Sequence, residues 1–252
     1  MTTERPLEGQ LAIVTGALGN LGPVWTDALA GAGARVVGID VRDGELPGGK
    51  LEVADITDRA ALDSVAERQG APAVLVNNAG IDQPPAAAAR TFLIEDVPGD
   101  DFRRTLDVNV AGTFAATQAF GRLMAEAGHG SIVNIGSLYA TIAPDPGLYD
   151  HMDADPPFLK PPAYGASKAA VVNLTRYFAR LWGPRGVRVN ALSPGGVRAD
   201  QDEEFVSKYC ARVPLGRMAE ADDLVGPLLF LASDASRYLT GHELRVDGGF
   251  TA

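Results

Sequence analysis

Short apolar runs alternate along this chain with longer segments of helical periodicity. Leu11–Val14 reads as a buried strand, and after a glycine-rich turn Pro23–Ala32 reads as a helix. Pro23 falls in the first turn of that helix, where a missing N–H does no harm. Arg35–Asp40, Leu51–Val53, Ala73–Asn77, Ser131–Ile135, Val187–Leu192 and Leu244–Val246 read as further strands. Asp58–Gln69, the long stretch Asp101–Ala127 and Tyr164–Trp182 read as helices. Strands apolar on both faces and alternating with helices predict an α/β fold, a doubly wound parallel sheet covered on both sides. No internal repeat or linker divides the chain, so residues 1–252 are expected to form a single domain. The conspicuous irregular segment is Ala140–Pro162, which holds six prolines and is expected to be neither helix nor strand for long. A connection of that length inside a compact domain is usually functional.

Composition narrows the function. With 46% hydrophobic residues the chain can bury a full core. Its formal charge of −10, with the basic residues scattered, disfavours any phosphate-backbone ligand, so no nucleic-acid partner is expected. Cys210 is the single cysteine, which excludes an intrachain disulfide and a thiolate metal cluster. No group of His, Asp and Glu has metal-ligand spacing, and no catalytic metal is expected. Met1–Arg5 lacks the basic-then-apolar pattern of a signal peptide, and no run reaches the ~18 apolar residues of a membrane span. A cytoplasmic protein with no membrane partner is the expectation.

The first strand-to-helix turn carries the first chemical signal. Thr15-Gly16-Ala17-Leu18-Gly19-Asn20-Leu21-Gly22 lies between a predicted strand and a predicted helix. Glycines let such a turn approach a pyrophosphate, whose charge meets the N–H groups at the helix start. Asp40 ends the second strand eighteen residues after Gly22 and can accept hydrogen bonds from both ribose hydroxyls of NAD. It would repel the extra phosphate of NADP: two unit charges ~4 Å apart interact by about 4 kcal/mol at an effective dielectric of 20. A third of that is still roughly a tenfold preference. Arg42, two residues on, could soften the repulsion. NAD is the expected cofactor, on a Rossmann-like sheet.

From here the sequence resembles the short-chain dehydrogenase/reductase family over nearly its whole length. The motifs are Thr15–Gly22, Asp55, Asn77-Asn78-Ala79-Gly80, Asn109, Ser137, Tyr164-Gly165-Ala166-Ser167-Lys168, Pro194-Gly195 and Val246-Asp247-Gly248-Gly249, in that order. The resemblance implies that the turn residues Gly16, Leu18, Gly19, Asn20, Leu21 and Gly22 cradle the cofactor. It places Asp55 and the Ile56 backbone at adenine, Asn78, Ala79 and Gly80 along the cofactor, and Pro194, Gly195 and Val197 beside the nicotinamide. It also implies a homotetramer or homodimer through the long helices. Asn20 stands where the short form usually has glycine, a spacing closer to the extended, epimerase-like form; Asn tolerates positive φ, so the turn can survive. Only 84 residues follow Lys168, too few for the extended form's added substrate portion. Ala199 stands where the family often has a threonine reaching the nicotinamide amide.

Tyr164 and Lys168 are four apart and so share a helix face. The other loop tyrosines fail this test, since Ala143 follows Tyr139 and Asp153 follows Tyr149 at that spacing. A phenol of pKa ≈ 10 is a poor base at neutral pH, and a nearby ammonium favours its ionised form. Tyr164 would exchange the hydroxyl proton of an alcohol, and Ser137 would hydrogen-bond the same oxygen. Both Tyr164 and Lys168 would also touch the cofactor. Asn109 resembles the family's fourth member, which holds a water in the proton path to Lys168. The expected reaction interconverts a secondary alcohol and a ketone. A sugar-nucleotide epimerase or dehydratase and a non-catalytic NAD-sensing protein are the rivals, and Asp40 argues against an NADPH-linked β-ketoacyl reductase.

The substrate side is less determined. Tyr164 follows Ser137 by 27 positions, roughly twice the family's interval. This loop and Phe205–Met218 are similar to a subgroup of flagellin-modification and gluconate-dehydrogenase-like proteins, which suggests a small, sugar- or polyol-like substrate. Tyr149, His151 and Lys160 are its candidate hydrogen-bonding groups, and the loop is expected to act as a substrate lid. For His151 a solvated position in the loop is the plainer expectation.

Overall fold

A computed structural model describes residues 5–83 and 90–252; Met1–Glu4, read above as lacking a signal-peptide pattern, lie outside the described residues. The strands are β1 (Leu11–Thr15), β2 (Arg35–Asp40), β3 (Gly49–Val53), β4 (Val74–Asn77), β5 (Gly130–Ile135), β6 (Val187–Pro194) and β7 (Glu243–Val246). They pair in parallel throughout, in the order β3-β2-β1-β4-β5-β6-β7. All seven predicted strands are present, each within two residues of its expected start.

The helices are α1 (Gly22–Gly31), α2 (Arg59–Gln69), α3 (Gly99–Leu106), α4 (Thr113–Ala127), α5 (Pro162–Trp182), α6 (Glu203–Cys210) and α7 (Val225–Ala232). Side chains alternate across a strand, and here both faces are covered. Leu11 and Ile13 of β1 enter a core with Leu62 of α2, Phe120 of α4 and Phe178 of α5. Ala12 and Val14 enter the opposite core with Trp25 and Leu29 of α1 and Leu228 and Leu231 of α7. The sheet is therefore the expected doubly wound, Rossmann-like one.

The long predicted helix Asp101–Ala127 is α3 and α4 joined by a π-helical turn over Asp107–Gly112. Two helices were not expected. The signals for α6 were present: Asp202 accepts the Phe205 N–H at 2.8 Å, and Glu203 and Glu204 lie in the first turn. Helix α7 (VGPLLFLA) is apolar nearly all round and has no amphipathic period to read.

The sheet order reverses between β1 and β4, and the crevice beyond the strands' carboxyl ends opens there. The turn after β1 is closely packed. A Cβ on Gly22 would lie 2.4 Å from the carbonyl oxygens of Gly16 and Ala17. Gly22→Ala is expected to cost about 1–3 kcal/mol through overpacking, read as a loss of several degrees in Tm. An unchanged Tm would show that the turn has slack.

Candidate active site

A cleft of ≈ 930 Å³ runs along the carboxyl ends of β3, β2, β1, β4, β5 and β6. With neighbouring strands about 4.8 Å apart, these edges span roughly 24 Å, which suits an extended dinucleotide with a small substrate at one end.

Under the middle of the cleft lies the glycine turn. Gly16 alone in it has positive φ (+64°), and a Cβ there would sit 2.7 Å from Ala79 Cα. Asn20 has no positive φ, so its replacement of glycine makes no demand on the backbone. The tolerance for positive φ invoked for Asn20 is not what preserves the turn. A Cβ on Gly19 would meet only the Gly16 carbonyl, at 3.2 Å, so its bare backbone faces the cleft. Gly16, Gly19, Asn20 and Leu21 line the cleft, whereas Leu18 and Gly22 do not. The Leu18 N–H instead donates to Asp40 Oδ2 at 3.0 Å.

The turn is braced against β4. Thr15 Oγ accepts the N–H groups of Asn78 and Ala79, each at 3.1 Å. Asn78 donates to the Gly16 carbonyl at 2.9 Å and accepts Trp25 Nε1–H at 2.8 Å. Asn78, Ala79 and Gly80 line the cleft from this side. The bracing roles of Thr15 and Trp25 had no separate signal in the sequence.

At the β2 end, Asp40 is buried and lines the cleft. It accepts the Arg42 N–H at 3.0 Å and Arg42 Nε–H at 3.1 Å. Burial pushes its pKa up, but the hydrogen bonds from Arg42 and Leu18 outweigh this and hold the carboxyl below its usual range. Asp55 and Ile56 line the cleft beyond it. Asp55 Oδ1 accepts both the N–H and the hydroxyl of Thr57 at 2.8 Å, while Asp58 caps α2.

At the other end Ser137, Tyr164 and Lys168 meet in the cleft, with Pro194, Gly195 and Val197 flanking them. Tyr164 stands in the first turn of α5, and Lys168 one turn on, its Nζ 5.7 Å from the Tyr164 ring centroid. The ammonium donates to the Ile135 carbonyl at 2.8 Å, and burial lowers its pKa to about 8. Burial raises the Tyr164 phenol above its usual range; the charge of Asp82 adds to this and hydrogen bonding with Ser137 opposes it. Burial thus opposes the help that Lys168, one turn away, gives to the ionised phenol.

Asn109 does not line the cleft. It is buried within the π-helical turn, where Oδ1 accepts the Ile81 N–H at 2.7 Å. Its Nδ2 donates to the Ile81 carbonyl and to Ser167 Oγ, each at 3.0 Å. The side chain thus fixes the loop after β4 to α5 instead of facing the substrate. Ala199 lines the cleft without a side chain that could reach an amide.

The loop over 140–162 is pinned. Leu148, Tyr149 and Phe158 are buried with Phe205 and Tyr209 of α6. Arg212 pairs with Asp145 at 2.6 Å, and Lys208 pairs with Asp150. The His151 side chain is 10% exposed, its Nδ1 3.2 Å from Lys208 Nζ and its Nε2 3.0 Å from the Asp202 carboxylate. His151 is thus neither solvated nor a lining group of the cleft, and Tyr149 hydrogen-bonds Tyr139 at 3.2 Å instead of facing the cleft. Both serve to dock the loop on α6. Among the described residues no group of His, Cys, Asp and Glu could hold a metal, and no helix is long and apolar enough to cross a membrane.

Residues 16–251 match the family model described as enoyl-(acyl carrier protein) reductase. The chain belongs to the short-chain dehydrogenase/reductase family, a class of oxidoreductases. It is 36% identical to galactitol 2-dehydrogenase of Rhizobium johnstonii, over 97% of this chain and 96% of that one. A short-chain dehydrogenase of Leptospira borgpetersenii with bound NAD+ superposes with a TM-score of 0.88 at 33% identity, covering 100% of this chain and 96% of that one. Gluconate 5-dehydrogenase of Burkholderia cenocepacia, solved with NADP and tartrate, gives 0.84 at 32% identity, covering 98% and 97%.

Proposed function

We propose that this protein is an NAD(H)-preferring dehydrogenase that interconverts a secondary alcohol and a ketone on a polyhydroxylated, sugar- or polyol-like substrate. The convergence of Ser137, Tyr164 and Lys168 at one end of a dinucleotide-sized cleft is the observation behind this reading. The galactitol and gluconate dehydrogenases among its relatives supply the substrate class.

A nicotinamide dinucleotide, when bound, supplies the hydride acceptor for oxidation and the donor for reduction. Gly16, Gly19, Asn20 and Leu21 would hold its pyrophosphate, Asp40 the adenosine ribose, and Asp55 and Ile56 the adenine. Asn78, Ala79 and Gly80 would line its length, and Pro194, Gly195 and Val197 its nicotinamide end. Ser137 donates a hydrogen bond to the substrate oxygen, and Tyr164 takes the hydroxyl proton as the carbon-bound hydrogen leaves with its electron pair. In reduction Tyr164 returns that proton. Lys168 stabilises the phenolate, and Asn109 acts as a positioning residue through Ile81 and Ser167. The assembly is a homodimer or homotetramer; exposed Phe114 on α4 and Tyr177 and Leu181 on α5 support contact through these helices.

Net growth of NADH absorbance with a panel of polyols and sugars tests the reaction. Turnover without net NADH would favour an epimerase, and NADH binding without turnover a sensor.

Cofactor choice has its own test. Asp40 would accept the ribose hydroxyls, but Arg42, 60% exposed along its side chain, lies against it and would offer a cation to a 2′-phosphate. NAD(H) is expected to bind at least about tenfold tighter than NADP(H). Asp40→Ala should shrink that ratio by removing the repulsion and releasing Arg42. Equal affinities in the native protein, by fluorescence titration, would overturn the NAD assignment.

A further inference from the structure

Asp82 and Lys160 form an ion pair that the chemistry above does not use. Asp82 lies in the loop after β4, and Lys160 closes the long loop just before α5. The Lys160 ammonium donates to Asp82 Oδ2 at 2.5 Å and to the Gln83 carbonyl at 3.1 Å. It also lies 5.2 Å from the centroid of the Tyr164 ring, so the pair stands beside that tyrosine. The two side chains differ in access: Lys160 is 6% exposed and Asp82 32%. Of the pair, only Asp82 lines the cleft.

The substrate therefore meets a carboxylate whose counter-ion is fixed behind it. Asp82 Oδ1 accepts the Gln83 N–H at 2.7 Å and Oδ2 accepts Lys160. Each oxygen keeps a lone pair for a further donor. An ionised, acceptor-only group suits hydroxyls, and two adjacent hydroxyls of a polyol can donate to its two oxygens. Lys160 offsets much of the Asp82 charge, but with its side chain only 6% exposed the pair presents its carboxylate side to the cleft and offers a substrate carboxylate no donor. Of the other cleft-lining cations, Arg42 is paired with Asp40 and Arg198 with Glu203. Lys168 donates to the Ile135 carbonyl. A sugar acid would have to rely on Arg104, exposed on α3.

We infer that Asp82, oriented by Lys160, is a substrate-recognition residue that selects neutral polyols over sugar acids. This rests on the polyol reading of the site given above. Lys160 acts through Asp82 as a positioning residue, and it also ties the long loop to the loop after β4.

The test compares kcat/KM for galactitol and threitol with that for gluconate, in wild type, Asp82→Asn and the double variant Asp82→Asn/Lys160→Met. The double variant removes both charges, so no buried ammonium is left alone should the single variant fold poorly. Wild type should favour the neutral polyols. Both variants should lose at least about tenfold in polyol kcat/KM, mainly through KM, and the ratio of polyol to gluconate should fall. NADH affinity should stay within about twofold, which separates recognition from general disruption. A wild type that prefers gluconate would overturn the inference in favour of Arg104 as an acid-binding group. So would folded variants with an unchanged polyol-to-gluconate ratio. If wild type turns over none of these compounds with NAD+ or NADP+, the polyol reading itself fails, and the inference with it.

Discussion

Tyr164→Phe is expected to lower turnover by at least ~10²-fold while leaving NADH affinity within about twofold. That fall is about 2.7 kcal/mol of transition-state stabilisation, the scale of losing a positioned acid–base group. The ring is kept, so its packing with Tyr139, whose centroid is 6.5 Å away and nearly perpendicular, should persist. Only the hydroxyl proposed to exchange a proton with the substrate oxygen is removed. Tyr139 is poorly placed to substitute: its hydroxyl is engaged with that of Tyr149 at 3.2 Å, and burial raises its pKa. Lys168 Nζ is directed to the Ile135 carbonyl. Steady-state rates with the best substrate, alongside NADH fluorescence titration, decide the matter. Retention of a tenth of wild-type turnover would assign the proton to another carrier, with Tyr139 the first to examine.

Replacing Ala143–Leu159 with a short Gly/Ser connector is expected to lower kcat/KM by about 10²-fold, the scale of a misplaced reacting geometry. The segment spans the connection between Ser137 and Tyr164, the two residues proposed to bind one substrate oxygen. It is not a free flap. Leu148, Tyr149 and Phe158 share a buried cluster with Phe205 and Tyr209, so the segment and α6 form one packed unit. Any closure therefore moves both together. The dinucleotide end of the cleft, from Gly16 to Asp55, is built from other elements, so NADH affinity should change by less than about threefold. A folded variant, by far-UV circular dichroism, with near-normal kcat/KM would make the loop a surface decoration.

Much of the architecture was legible in the sequence because it depends on local periodicity. The strands are continuous apolar runs such as Leu11–Val14, and the β1 turn must be glycine where a Cβ on Gly16 or Gly22 would strike backbone. Tyr164 and Lys168 are legible because four residues make one helical turn. Helix α7 was hidden because a segment apolar nearly all round has no period to read. The π-helical turn at Asn109 was hidden for another reason: its amide is drawn toward Ile81, 28 positions away in the chain.

By itself the sequence determined the doubly wound sheet, the position of its glycine turn and the shared helix face of Tyr164 and Lys168, while Ser137 was legible only through the family resemblance. The first three are encoded within one element or at a spacing that one element imposes. The tertiary structure alone decided what those residues meet. It set Arg42 against Asp40, spent the Asn109 side chain on Ile81 and Ser167, and packed Tyr149 and His151 onto α6 instead of into the cleft. It also brought Lys160 to Asp82 across 78 positions. Side-chain hydrogen bonds and charges act over a few ångströms of space, and no local pattern records which distant segments the fold brings that close.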